Sequence, residues 1–437
     1  PQYNQFNRDR ILLGKLLFYD PILSGESAPW VKSAAGKPPY RFRDNDMACA
    51  SCHHPDFAFA DGRRTSAGVG TASNEDNTVG PDRRPVGPSL VDGDKVGTLF
   101  RNAPTLMNTA YNGRFSHEPT TESLQFLDGR IDLGLEVQAL DPLVRVHEMA
   151  GHAYGFDKNG NTLAVDAIYD SVAARVRDLP RYFPYFANAY PGEIESPSDI
   201  HINHITKALA AFERELITPN SRYDQFVTGT QTAFTAQEKK GFQLFFGKAQ
   251  CGTCHYGPML SDYSFHVQGV AERYEPELAR GFDGNGGDLG RYHANPSELA
   301  DQKYAFRTLS LRNIEQTAPY FHSGSAATLR DVMEFHNRGG LGENDIATST
   351  LEAAGVSRHP AIVPLGLTDA EMESIIAFLK TTTADVQPGP HGTSLVTVPE
   401  RLPSGLLPPG VRTPAGDGPW FPNLPTIAET SSWDSSR

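Results

Sequence analysis

Apolar residues recur at helical spacing in several separate stretches of the chain. The clearest stretch runs over 202–216, where one face carries Ile205, Leu209, Phe212 and Leu216. Such a face is typical of an amphipathic helix that packs on a core. The pattern therefore predicts a helix over 202–216, which ends before Pro219 because proline cannot continue it.

Two capping boxes predict where further helices begin. Thr235 stands three residues before Glu238, at the start of an apolar stretch. Thr368 stands three residues before Glu371 and predicts a helix over Met372–Leu379. Together with the amphipathic stretch, these patterns predict a mainly α fold.

Polar stretches rich in proline and glycine interrupt the helical patterns. We expect loops over 24–46 and 68–94. From Ala384 onward, ten of 54 residues are proline and the apolar period disappears, so the tail is either disordered or an extended strap on the body. The strap is favoured by the aromatic residues of this tail, which are Trp420, Phe421 and Trp433.

Charge and hydropathy narrow the classes of partner. The 437 residues include 39 Lys and Arg against 52 Asp and Glu, a net charge of −13, which argues against nucleic acid and anionic lipid and mildly favours a basic protein partner. No apolar run reaches about 18 residues, so no membrane span is predicted. The chain opens without Met or an apolar leader, and we expect an export signal to have been removed.

The four cysteines fall in two identical C-x-x-C-H frames. The first frame has Cys49, Cys52 and His53, and the second has Cys251, Cys254 and His255. This frame is the attachment site of c-type haem, in which both thiols bond to the haem and the histidine ligates the iron. The sequence therefore predicts two covalent haems.

Zinc and a redox dithiol are the alternatives for such pairs. Two C-x-x-C pairs can form one Cys₄ zinc cluster, but zinc ribbons space their pairs by tens of residues rather than by about 200. Zinc also does not require a histidine after both pairs. Haem is favoured, and because bacteria attach c-type haem outside the cytoplasm, we expect a periplasmic protein.

The stretches that lead into the two frames have similar apolar patterns, GKLLFYD over 14–20 and GFQLFFGK over 241–248. This repeat predicts two cytochrome c-like haem domains with long loops and an extended C-terminal tail. We place the domains at 1–225 and 226–383 and the tail at 384–437.

An ordered series of short motifs surrounds the two frames. The motifs are LGK at 13–15, RNAPT at 101–105, DGR at 128–130, QALDP at 138–142, HEM at 147–149, AFER at 211–214, GPMLSD at 257–262, LRN at 311–313 and TAPYFH at 317–322. In this order the chain resembles the bacterial diheme cytochrome c peroxidases and their MauG-like relatives, over roughly residues 12–379.

The resemblance implies that the N-terminal haem is the peroxide site and that the C-terminal haem stores or relays an electron. Gln138 and Glu148 match the family's distal-pocket residues in type and in their spacing of ten. Heterolytic cleavage of the O–O bond needs a base that takes a proton from one oxygen and returns it to the other. The resemblance implies that Glu148 is this group and that Gln138 orients the peroxide.

The far ligand of the second haem differs from both named branches of the family. The peroxidases carry Met fourteen residues after the histidine that corresponds to His322, and MauG carries Tyr in that region. Here the position is His336. The resemblance implies that His336 ligates the second iron, with Met333 as the rival, and that the iron potential is lower than with Met.

Two further departures concern the first haem and the gap between the haems. Family members that need reductive activation place a loop histidine on the peroxide iron, but over 53–114 the only histidines are His53 and His54. His54 is too close to His53 to reach the opposite face, so we expect an open iron position. Leu127 stands where the family has a Trp between the haems, which argues against MauG-style charge sharing.

The family also binds a calcium ion between its haem domains. Its ligands there are an Asn side chain and two backbone carbonyls, and Asn102, Thr317 and Pro319 match those positions. Hard oxygen ligands of this kind suit calcium. The resemblance therefore implies one Ca²⁺.

The leading interpretation is a periplasmic diheme peroxidase that reduces hydrogen peroxide with electrons from a small redox protein. One alternative is a MauG-like oxidase that uses peroxide to modify a protein partner. Another is a diheme electron-transfer cytochrome with no chemistry of its own, in which Gln138 and Glu148 would have no role. The sequence does not distinguish a monomer from a homodimer.

Overall fold

The computed structural model describes residues 7–25, 47–62, 89–91, 94–96, 101–111, 134–150, 164–270, 288–294, 296–343, 345–406 and 408. Over these residues the fold is mainly helical, with two short antiparallel sheets. Outside the described residues lie Leu127, the DGR motif at 128–130, the tail aromatics Trp420, Phe421 and Trp433, and most of the two predicted loops. No helix in the described part is long and apolar enough to cross a membrane.

The described α-helices are α1 (Arg8–Tyr19), α2 (Gly134–Gln138), α3 (Asp141–Val144), α4 (Val165–Arg177), α5 (Phe183–Ala189), α6 (Ile202–Arg214), α7 (Arg222–Val227), α8 (Ala236–Phe246), α9 (Leu329–Asn337), α10 (Thr348–Ala353) and α11 (Asp369–Lys380). The strands are β1 (Ser89–Val91), β2 (Asp94–Val96), β3 (Phe265–Val267) and β4 (Ala305–Arg307), paired β1 with β2 and β3 with β4. Short 3₁₀ helices cover both cysteine frames, at Cys49–Ser51 and Cys251–Thr253.

Helices α1 and α6 cross at the centre of the first hydrophobic cluster. A Cβ on Gly14 would stand 1.9 Å from the carbonyl oxygen of Ala208, so the crossing requires glycine. The rings of Phe18 and Phe212 pack beside this point with centroids 5.1 Å apart. Both rings are fully buried, so the crossing anchors the first hydrophobic cluster. The elements that pack in this cluster are called the first unit, and those that pack in the second cluster are called the second unit.

Helices α8 and α11 cross in the same way in the second hydrophobic cluster. A Cβ on Gly241 would stand 1.8 Å from the carbonyl oxygen of Ser374. Phe378 is fully buried there and contacts the rings of Phe242 and Phe245 with centroids 5.4 and 5.1 Å apart. A close helix crossing at a glycine therefore occurs in both units.

The predicted helices form with small changes at their ends. Helix α6 ends at Arg214 rather than at residue 216, because the N–H of Glu215 turns back to the carbonyl of Phe212, although Leu216 is still fully buried. Helix α11 begins at Asp369, three residues earlier than predicted, because Thr368 is its N-cap. Both predicted capping boxes are confirmed.

The first part of the C-terminal tail is a strap on the first unit. Leu395, Val398 and Leu402 are buried in the first hydrophobic cluster. The Nζ of Lys15 donates to the carbonyl oxygen of Ser394 at 2.9 Å. Residues 394–402 therefore pack along the first cluster, while the tail aromatics that favoured a strap lie outside the described residues.

Buried polar side chains join the two units. The Nδ2 of Asn108 donates to the Oγ1 of Thr218 at 2.6 Å, and this hydroxyl donates to the Oδ1 of Asn313 at 2.8 Å. Arg101 and Asp288 form a two-point ion pair, with N···O distances of 2.5 and 2.7 Å. This ion pair holds the pKa of Asp288 at about 2 despite its burial.

Candidate functional site

The first frame presents an imidazole whose orientation is fixed by the backbone. Cys49 begins a 3₁₀ turn and packs against the first hydrophobic cluster. The Nδ1 of His53 lies 3.1 Å from the carbonyl oxygen of Phe59 and 3.0 Å from that of Pro104. Carbonyl oxygens only accept, so Nδ1 carries the proton and Nε2 keeps the lone pair that iron requires.

The second frame repeats this arrangement. Cys251 begins the corresponding 3₁₀ turn and packs against the second cluster. The Nδ1 of His255 donates to the carbonyl oxygen of Leu260 at 2.8 Å, which again leaves Nε2 as the free donor. Each frame therefore offers two thiols and one correctly protonated imidazole.

These donor sets fit covalent haem better than zinc. The two cysteine pairs pack against different hydrophobic clusters, so no Cys₄ cluster joins them. Burial raises the pKa of the free Cys251 thiol to about 12. Within the described residues, the only close group of three metal-type donors is Cys254, His266 and His359, and haem attachment uses the first of these.

Glu148 lies in a short helical turn that follows α3. Its N–H donates to the carbonyl oxygen of Arg145 at 3.0 Å. Loss of solvation and the nearby charge of Asp141 raise the pKa of Glu148 to about 7, against the opposing effect of Arg145. A carboxyl with this pKa can take and return a proton near neutral pH.

Gln138 is the last residue of α2 and is half-buried. Only two residues separate α2 from α3, and α3 leads directly into the turn that carries Glu148. Leu140, Leu143 and Met149 anchor this segment in the first cluster. The segment 134–150 therefore presents the amide and the carboxyl from one continuous piece of backbone.

His54 has a structural position. It is fully buried, and its Nδ1 accepts the N–H of Asp56 at 3.2 Å, which caps the turn Pro55–Phe57. This position agrees with the expectation that His54 does not reach the far side of the first haem.

His336 and Met333 have different surroundings on α9. Loss of solvation and the charges of His255 and Arg338 lower the pKa of His336 to about 4. The effect of His255 places the two imidazoles within electrostatic reach of each other, and a neutral imidazole is the form that binds iron. Met333 is 3% exposed and belongs to the second hydrophobic cluster.

The three residues matched to the calcium site lie on segments that meet between the units. The N–H of Asn102 donates to the carbonyl oxygen of His322 at 2.6 Å, which joins Asn102 to the segment that carries Thr317 and Pro319. The Oγ1 of Thr317 donates to the carbonyl oxygen of Ile314 at 3.1 Å. This contact does not involve the backbone carbonyl of Thr317.

The sequence alone assigned no function to two buried acidic side chains of the first unit, Glu136 and Glu213. The Nη2 of Arg214 donates to the Oε2 of Glu136 at 2.6 Å, and the Glu136 side chain is fully buried. Glu213 is only 4% exposed. Glu213 stands four residues after Leu209, on the apolar side of α6, and a charge in such a position is the signal that could have identified it.

Comparisons with known proteins identify the family of the chain. The family model for di-haem cytochrome c peroxidase matches residues 8–232. The chain is 27% identical over 385 residues to the methylamine utilization protein MauG of Methylorubrum extorquens, covering 88% of this chain and 81% of that protein. It is 30% identical over 344 residues to the cytochrome c peroxidase Ccp of Escherichia coli, covering 78% of this chain and 56% of that protein.

The solved structures give the same result. The structure of a MauG-like protein associated with microbial copper homeostasis matches with a TM-score of 0.62 and 27% identity, covering 91% of this chain and 94% of that one.

Proposed function

The chain belongs to the di-haem cytochrome c peroxidase family of peroxide-reducing oxidoreductases, and on that premise we propose that it reduces hydrogen peroxide at its first haem with electrons relayed through its second. The observation that carries the proposal is the difference between the two units. In the first unit, the segment 134–150 is anchored in the first cluster and carries the carboxyl of Glu148, whose pKa is raised. In the second unit, the helix α9 carries the imidazole of His336 within electrostatic reach of His255.

A bound haem supplies the iron at which peroxide is reduced and the route for its electrons. Cys49 and Cys52 would hold the first haem, and the hydrogen bonds from Nδ1 of His53 to two carbonyls would keep its Nε2 directed at the metal. Within 53–114 the only histidines are His53 and His54, so this stretch offers no further imidazole for the first iron.

Glu148 performs the proton transfers in this proposal. Its carboxylate takes the proton of the peroxide oxygen that binds first and returns it to the oxygen that leaves as water. Overall, one hydrogen peroxide, two electrons and two protons give two waters. Gln138 orients the peroxide through its side-chain amide, which can both donate and accept a hydrogen bond.

The second unit handles electrons only. His255 and His336 would hold its iron, and both are imidazole ligands rather than proton-transfer groups. Two nitrogen donors stabilise ferric iron more than a nitrogen and a thioether do, so the potential is lower than with Met. Ca²⁺ held by the Asn102 side chain and the carbonyls of Thr317 and Pro319 would fix the two units together.

The cellular setting follows from covalent haem. We place the protein in the periplasm, where a small redox protein supplies its electrons. The net charge of −13 favours a donor with a basic docking face.

Oxidation of a protein side chain is the second candidate function. One observation favours it: similarity to a MauG over 88% of this chain. A peroxidase consumes a reduced donor with peroxide, whereas a MauG-like oxidase leaves a stable modification in its partner. Mass spectrometry of a candidate partner after turnover therefore separates the two.

The test of the proposal is Glu148→Gln, which keeps the side-chain shape and removes the ionisable group. We expect its reaction with peroxide in stopped-flow mixing to be slower by roughly 10²-fold or more, with both haem spectra retained. Glu195→Gln is the matched control, because Glu195 is exposed and its rate should not change. An unchanged rate in Glu148→Gln contradicts the proposed role.

A further inference from the structure

A buried glutamate that the proposed mechanism does not use lies beside the first haem frame. Glu213 is in the last turn of α6 and is 4% exposed. Its Oε2 is buried and has no hydrogen-bond partner among the described residues. The Nη1 of the neighbouring Arg214 is also buried and has no hydrogen-bond partner among the described residues. Unpaired buried polar atoms are costly, so such a pair calls for a physical explanation.

One ring contact and one electrostatic effect place this turn of α6 against the first frame. The ring of Phe212 packs against that of Phe59 with centroids 6.3 Å apart, and the carbonyl of Phe59 is one of the two that orient His53. The charge of Glu213 also acts on the thiol of Cys49. Once haem is attached, Cys49 is a thioether and no longer titrates. The haem is then the nearby group whose charge changes.

The surroundings of Glu213 disfavour the charged form of its carboxyl. Among the described residues, the charged groups that act on it are Arg214 beside it and Glu136 on α2. The ion pair with Glu136 already compensates Arg214, with N···O at 2.6 Å. A second carboxylate would therefore lack a counter-charge. Loss of solvation is the largest effect, and it raises the pKa of Glu213 to about 8.

We propose that Glu213 is the redox-linked proton site of the first haem, binding one proton when that haem gains an electron and releasing it when the electron leaves. The gained electron removes one unit of positive charge from the iron. A carboxylate buried nearby loses that stabilisation and takes a proton on its oxygen. One electron and one proton enter together, and no covalent bond other than the O–H is formed.

The proposal rests on haem attachment at the first frame and adds a positioning role to the proposed peroxide reduction there. Glu213 does not touch peroxide. It keeps the charge of the first haem site nearly constant while electrons pass, so each electron stored for peroxide arrives with one of the protons that the reaction consumes. Arg214 and Glu136 connect this site to α2, whose last residue is Gln138.

Redox titration of the holoprotein at a series of pH values tests the proposal. The midpoint potential of the first haem, followed by its own absorption, should fall as pH rises over roughly pH 6 to 9. In Glu213→Gln, which keeps the shape but cannot ionise, this dependence should be lost. Glu213→Asp restores an ionisable group and should restore the dependence, which a merely structural role would not do.

Two internal controls accompany the titration. The midpoint of the second haem should be the same in all variants, and Glu195→Gln should behave as the wild type. A pH dependence that persists in Glu213→Gln and disappears in Glu148→Gln assigns the proton to Glu148 and overturns the proposal. The peroxide rate of Glu148→Gln tests the proposed function separately, because the midpoint titration uses no peroxide.

Discussion

The two units share a scaffold and differ in the side chain that each adds to it. Both are built on a helix crossing that requires glycine, at Gly14 in the first unit and at Gly241 in the second. Both fix the frame histidine through Nδ1 and a backbone carbonyl. The first then adds a carboxyl that can exchange protons, and the second adds an imidazole.

The comparison teaches that the scaffold and the chemistry are separable. In the proposed function, the helix crossing and the frame hold a haem in either unit, and one further segment decides between reaction and electron relay. In the first unit that segment is the continuous stretch 134–150, and in the second it is the single helix α9. Changes confined to these segments should alter one unit without altering the other.

The largest expected effect comes from His336→Met, which removes the second imidazole. The bis-imidazole low-spin signal of the second haem should disappear completely, and the midpoint potential should rise because a thioether stabilises ferric iron less. Electron paramagnetic resonance and redox titration measure these two changes. Met333→Leu, a volume-conserving change in the core, should leave both unchanged. The opposite pattern would make Met333 the ligand.

The next-largest effect is the pH dependence of the peroxide reaction, which we assign to the first unit. Glu148 acts as a base only when ionised, and its pKa is raised to about 7. The rate constant for peroxide should therefore rise about tenfold per pH unit below that value and level off above it. Glu148→Gln should show no such rise. A wild-type rate that is flat over this range would remove Glu148 as the base.

Substituting the crossing glycines tests the shared scaffold. Gly14→Ala and Gly241→Ala each force a Cβ against a backbone carbonyl, and we expect each to lose about 1–3 kcal/mol of unfolding free energy or more. Denaturant unfolding followed at the absorption of each haem measures the loss. Each variant should weaken its own unit first. Equal loss at both haems would show that the two units unfold as one.

The smallest effect tests the strap, which among the described residues packs on the first unit. Buried Asp20 accepts from the hydroxyls of Tyr182 and Ser404, at 2.6 and 2.7 Å. Ser404→Ala removes one of these bonds and should cost about 1 kcal/mol, observed at the first haem. Thr350→Ala, at an exposed position in the second unit, is the control. Equal stability of the two variants would mean that the Ser404 contact contributes nothing measurable.

The sequence could predict those features of the structure that depend on residues close together in the chain. The capping boxes at Thr235 and Thr368 depend on residues three apart, and both helices begin where these boxes stand. The end of α6 was predicted two residues late because the apolar period continues to Leu216 after the helical hydrogen bonds have ended.

Contacts between distant parts of the chain were beyond the sequence. Nothing local connects Asp20 to Ser404, because that pair exists only after the strap has packed on the first unit. Glu213 was equally hidden, since its proximity to Cys49 depends on how the end of α6 meets the first frame. The assignments of Glu148, Gln138 and His336 to the haems remain predictions.

The most direct measurement of the central claim is an electron paramagnetic resonance spectrum of the fully ferric protein at neutral pH. The account predicts one high-spin haem, because no second histidine closes the first unit, and one low-spin haem, because His255 and His336 close the second, in equal amounts. Two low-spin signals would contradict it, because the first iron would then have a sixth protein ligand and no open position for peroxide.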